Sequence, residues 1–122
     1  MGSTLMTIQN GLYSFTAMPR SGAGDEVRGI LIFHDGAIQG GDSFVYYIGT
    51  YECVSDRNWQ GKITSQEHTP TTRPMSDRVQ QIGFIGTYSD TGAKVDVMAL
   101  VGDHSIRYDA SLRLLSATTR RT

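Results

Sequence analysis

Between Gly11 and Leu115 the chain is cut by turn signals into short apolar or alternating runs, and nearly every interruption is too short to carry a crossover. The runs are Gly11–Met18, Val27–His34, Ala37–Gly40, Phe44–Val54, Trp59–His68, Val79–Tyr88, Ala93–Val101 and Ser105–Leu115. Asp35-Gly36, Ser55 to Asn58, Ser89 to Gly92 and Gly102-Asp103-His104 separate them as hairpin-sized turns. Parallel neighbours need a connection of a dozen residues or more, so these links predict antiparallel strands in chain order. The fold class is therefore all-β, an eight-stranded antiparallel up-and-down arrangement. Eight strands suffice to close a small barrel and so remove the exposed edges of an open sheet.

Composition supports strands over helices. Val, Ile, Thr, Phe, Tyr and Trp number 40, against three Glu and two Lys, the residues that usually coat helix faces. Alternation identifies the dry face. Ile106, Tyr108, Ala110, Leu112 and Leu114 interleave with Arg107, Asp109, Ser111 and Arg113. In Ala93–Val101 the second face is only half polar, because Met98 and Leu100 share it with Lys94 and Asp96. Leu31 and Phe33 likewise oppose Ile30 and Ile32. Strands apolar on both faces predict a barrel whose outside meets a partner, with Met98 and Leu100 as candidate dimer surface.

One domain is expected over residues 11–115. Residues 1–10 read as an extension outside the fold, partly of cloning origin, and residues 116–122 as a frayed polar tail. Thr69 to Asp77, with Pro70 and Pro74, is the one long connection. Eleven basic and twelve acidic residues leave a formal charge of −1, which disfavours direct nucleic-acid binding and attraction to anionic membranes. No apolar run is long enough for a membrane helix, and the single cysteine, Cys53, permits no internal disulfide; a cytoplasmic location is expected.

Chemistry-bearing motifs are few. His34, His68 and His104 lie 34 and 36 residues apart, without local metal-ligand spacing. Glu52 and Glu67 have no spacing that brings them to Asp42, and Cys53 has no adjacent His or Lys to activate it. Neither a catalytic set, a metal nor a cofactor is implied. Gly40-Gly41-Asp42 precedes a strand instead of a helix, so it reads as a bend whose Asp42 accepts backbone N–H bonds, not as a phosphate cradle. Ile48-Gly49-Thr50-Tyr51 recurs as Ile85-Gly86-Thr87-Tyr88. This is either the trace of an internal repeat or, the favoured reading, two strands of one barrel that each need a glycine at a bend and a tyrosine near the rim. The aromatic residues supply core volume, and Trp59, Tyr88 and Tyr108 are the candidates to line a barrel mouth that could orient a small hydrophobic ligand.

The stretch Gly29-Ile-Leu-Ile-Phe-His-Asp-Gly36-Ala-Ile-Gln-Gly40-Gly41-Asp42, followed by Tyr47-Ile48-Gly49-Thr50-Tyr51, resembles the GrlR-like negative regulators of type III secretion, and Gly11-Leu12-Tyr13 fits the same pattern. The resemblance implies a lipocalin-like barrel that forms homodimers and represses by binding a transcriptional activator. The founding type carries an acidic run after the strand that here ends at Val54, whereas this chain has Ser55-Asp56-Arg57-Asn58. Asp56 and Arg57 are accordingly the candidate partner loop, and the resemblance leaves the partner's identity open. The alternative is a barrel whose interior binds a small hydrophobic molecule.

Overall fold

The computed structural model describes residues 7–22, 26–69 and 80–118. Its eight strands are β1 (Gly11–Pro19), β2 (Val27–His34), β3 (Ala37–Gly41), β4 (Val45–Ser55), β5 (Asn58–Glu67), β6 (Gln80–Tyr88), β7 (Gly92–Val101) and β8 (His104–Ala117). Each pairs antiparallel with its successor, and β8 returns to β1 to close the barrel. The eight runs and the up-and-down order read from sequence are thus the observed architecture. Of the long Thr69 to Asp77 connection, residues 70–77 lie outside the described residues.

The turns divide between two ends. Asp35-Gly36, Asp56-Arg57 and Ser89 to Thr91 sit at one end with Asn10 and the end of β8; the β3–β4 and β7–β8 turns lie opposite. At Asp35 and Gly36 φ is positive at both positions, 47° and 91°, as a two-residue hairpin matched to the right-handed strand twist requires.

Inward-facing residues fill the turn end with rings. Tyr13, Phe33, Trp59 and Tyr88 are all buried, and Phe33, Tyr51, Phe84 and Tyr88 stand around Trp59 at centroid distances of 5.4, 5.8, 4.7 and 6.4 Å. The tilted and edge-on geometries are those that aromatic quadrupoles favour. Small residues make room for this bulk: the Phe84 ring lies over Gly61, where a β-carbon would come within 2.5 Å of it, and Phe15 covers Gly29 in the same way.

At both ends the barrel takes in more chain than expected. β8 continues through Ser116 and Ala117, which pair with Leu12 and Gly11, so the polar tail starts later than residue 116. Ile8, expected to lie outside the fold, is 2% exposed and belongs to the core cluster. The physical reason is shared: β1 and β8 close the barrel, and their ends must satisfy their backbone groups there, as Thr118 N–H does on the Asn10 carbonyl at 2.9 Å.

Candidate functional site

Two kinds of site are open to a barrel: its interior, reached through an end, and its outer wall. At the turn end the residues expected at a mouth are sealed in. Trp59 is 1% and Tyr88 4% exposed, because Ile8 and the neighbouring rings cover the end on which a mouth depends. Tyr108 lies toward the opposite end, paired with Pro19 and Val97, and is partly buried.

That opposite end carries the polar corner of the Gly40-Gly41-Asp42 motif. Asp42 Oδ1 accepts the N–H groups of Phe44 and Val45, both at 2.9 Å, and Oδ2 accepts the Tyr47 hydroxyl at 3.0 Å. The carboxylate therefore ties the β3–β4 bend as the sequence suggests, and also anchors an inward-facing tyrosine. His68 joins this corner through its Nε2, 3.0 Å from the Asp42 carbonyl oxygen. The three histidines do not converge: His34 stands at the turn end beside Asp35, and His104 is exposed beside Asp103. Glu52 bonds Gln60 on the outer wall at 2.8 Å, whereas Glu67 is at the other end of the same hairpin, opposite Val45. Among the described residues no three His, Cys, Asp or Glu groups lie together as metal ligands.

Among the described residues, the buried Trp59 Nε1 and Glu67 Oε2 lack hydrogen-bond partners. Burial also dominates the interior phenols. It pushes Tyr13 up to about 12, aided by nearby Tyr51, and raises Tyr47, where the Asp42 carboxylate adds to it. Tyr51, Tyr88 and Tyr108 are raised as well, by burial first. A raised folded-state value means that stability from the neutral phenols is complete below pH 10, the ordinary tyrosine value, and is lost as pH climbs through the folded values. A spectrophotometric titration is therefore expected to show most phenolate appearing above pH 10, together with alkaline loss of the fold near pH 12. Complete titration at pH 10 in a still-folded protein would contradict the buried placement.

The outer wall is the more distinctive surface. Across β1 to β5 the register aligns Leu12, Ile32, Gln39, Ile48 and Thr64 in one row, and Ser14, Ile30, Gly41, Tyr46 and Gln66 in the next. Neither row contains a charge, and Ile30, Ile32, Tyr46 and Ile48 are 38, 44, 37 and 53% exposed. Met98 and Leu100, the candidates from sequence, form a smaller outer patch with Ile85 on β6 and β7, also exposed. The wider band had a legible signal, the two-sided apolarity of β2, but its continuity across three strands depends on register.

A third outer feature is an open groove of ≈ 570 Å³ whose lining includes Met18, Ile85, Lys94, Asp96, Asp109 and Ser111. Asp96 and Asp109 are direct cross-strand partners, a repulsive pairing that Arg20 resolves by bonding both carboxylates, at 2.5 and 2.8 Å. Its hydrogen bond and charge hold Asp109 below the usual carboxylate range. Asp56 and Arg57 are exposed at the β4–β5 turn, with Arg57 in the left-handed region at φ 70°.

No protein-family model matches the chain, and a search of curated proteins found no match.

Proposed function

We propose that this protein is a non-enzymatic, cytoplasmic regulator that works as a homodimer and acts by binding another protein through its outer wall, as the resemblance to the GrlR-like negative regulators of type III secretion implies. The observation that carries this reading is the uncharged, exposed band formed by Ile30, Ile32, Tyr46 and Ile48. Contact surfaces that are buried in complexes are depleted of charge at their centre and ringed by polar groups, and this band has that anatomy, with Arg28, His34 and Lys62 at its margins. An uncharged face also packs on its own copy about a two-fold axis without like-charge repulsion, which favours this band for the second copy over Met98 and Leu100, which share their face with Lys94 and Asp96. The aromatic filling of the turn end supports recognition by the surface over recognition by the interior.

The band is tested by light scattering on two variants. Ile48→Asp is expected to convert the dimer to monomer, while Met98→Asp leaves it intact. A dimer in both, or a monomer only in Met98→Asp, moves the contact off β2–β4. Native mass spectrometry of the protein from its own host then reads the partner: a second polypeptide supports a regulator, whereas a homodimer carrying a small extra mass supports the ligand-binding alternative. That second reading draws on the two unpartnered buried atoms of Trp59 and Glu67.

A further inference from the structure

The segment before β1 crosses the turn end of the barrel. Asn10 is tied to the β2–β3 turn twice, donating from Nδ2 to Asp35 Oδ1 at 2.9 Å and accepting the Asp35 N–H on its Oδ1 at 3.0 Å. Its carbonyl accepts the Thr118 N–H. Gln9 reaches the β6–β7 turn, its Nε2 donating to the Asp90 carbonyl at 2.9 Å, and its own carbonyl accepts the Tyr13 hydroxyl at 2.8 Å. These turns belong to strand pairs on different sides of the barrel, so residues 9 and 10 span the opening, and Ile8 is buried in the core that the opening would otherwise expose.

We propose that residues 8–10 are a releasable seal over the aromatic core that holds Trp59. Two independent observations point to release. The segment has no strand pairing; its side-chain ties to the turns are exposed and its one apolar anchor is Ile8, whereas every strand below it is held by a ladder on both sides. Elements held in that way open at lower free energy than the sheet they cover. The second observation is the Trp59 indole N–H, which is without a partner although the residue is 1% exposed. A buried unsatisfied donor penalises the closed state, and opening relieves that penalty by letting in water or any small molecule with an acceptor. The seal thus keeps the interior closed while leaving a defined route to it.

Trp59 is the chain's single tryptophan, so its fluorescence reports on that core alone. Acrylamide, a small neutral molecule with an acceptor oxygen, is the probe. In the Gln9→Ala/Asn10→Ala double variant, which leaves Ile8 in place, the quenching constant is expected to rise about three-fold or more while the strand amides keep their protection from hydrogen exchange. Ile8→Ala is expected to do the same. Quenching unchanged from the parent in both variants, or rising only in step with lost strand protection, overturns the proposal. Hydrogen exchange in the unaltered protein decides independently of the variants. The Thr118 and Asp35 amides, which both bond to Asn10, are expected to exchange through a common opening that β4 and β5 amides do not share. Exchange of all four groups through a single global opening overturns it.

Discussion

Trp59→Ala is expected to lower the unfolding free energy by about 3–5 kcal/mol, the range for deleting a large buried aromatic side chain. For a chain of this size that corresponds to a fall in Tm of roughly 10–20 °C. The site cannot collapse to refill the space. Four rings stand around Trp59, and three of them, Tyr51, Phe84 and Tyr88, rise from strands β4 and β6, whose separation is set by β5 between them. Trp59→Phe separates volume from chemistry. It keeps a ring in the cluster and removes a donor that has no partner, so the loss of polar satisfaction is nil and only part of the volume is forfeited. Its cost is expected to stay below about 2 kcal/mol. Denaturant unfolding of both variants measures the difference. An alanine variant within about 1 kcal/mol of the parent would show that the rings do not form the single core described above.

How much of this was legible in the sequence follows from where the information resides. Strand runs and hairpin turns are local, and the short links leave only one order of neighbours, so the barrel follows from Gly11 to Leu115 read alone. The bond from Asp42 to the backbone ahead of it is local too. Its bond to Tyr47 is not, since five residues separate the two across a bend whose shape the sequence does not print. Ile8 was invisible because a lone apolar residue among Thr7, Gln9 and Asn10 has no period to read; only closure of the barrel makes that place a core position. Missing Ile8 then misplaced Trp59 and Tyr88 at an open mouth. The Arg20 bridge spans 76 and 89 residues and arises from a cross-strand pairing of two aspartates that periodicity alone does not reveal. Register is likewise what joins Ile30 and Ile32 of β2 to Tyr46 and Ile48 of β4; alternation shows that these strands, like the one carrying Met98 and Leu100, are apolar on both faces, but not that the residues form one band.

The recurrent Ile-Gly-Thr-Tyr motif offers the sharpest test of its structural reading. In both copies the isoleucine and threonine face outward, the glycine and tyrosine inward, and the two tyrosines flank Trp59. Each glycine lies against the backbone of the next strand. A β-carbon on Gly49 would come within 2.9 Å of the Ile63 Cα and closer still to the Lys62 carbonyl oxygen; on Gly86 it would meet the Val95 Cα at 2.7 Å and the Lys94 carbonyl oxygen closer still. Backbone cannot rotate aside as a side chain can, so Gly49→Ala and Gly86→Ala are each expected to cost about 3 kcal/mol, at the upper end of overpacking penalties. Gly83 is the internal control. It lies on the same strand as Gly86 with nothing within 4 Å of its missing β-carbon, and Gly83→Ala is expected to be neutral or to stabilise by up to about 1 kcal/mol through the lower entropy of the unfolded chain. Thermal unfolding of the three variants reads this ordering directly. Equal and small effects at all three positions would mean that the strands have slack where the geometry shows contact, and the convergence of Tyr51 and Tyr88 on Trp59 would then need a cause other than the close approach that these two glycines permit.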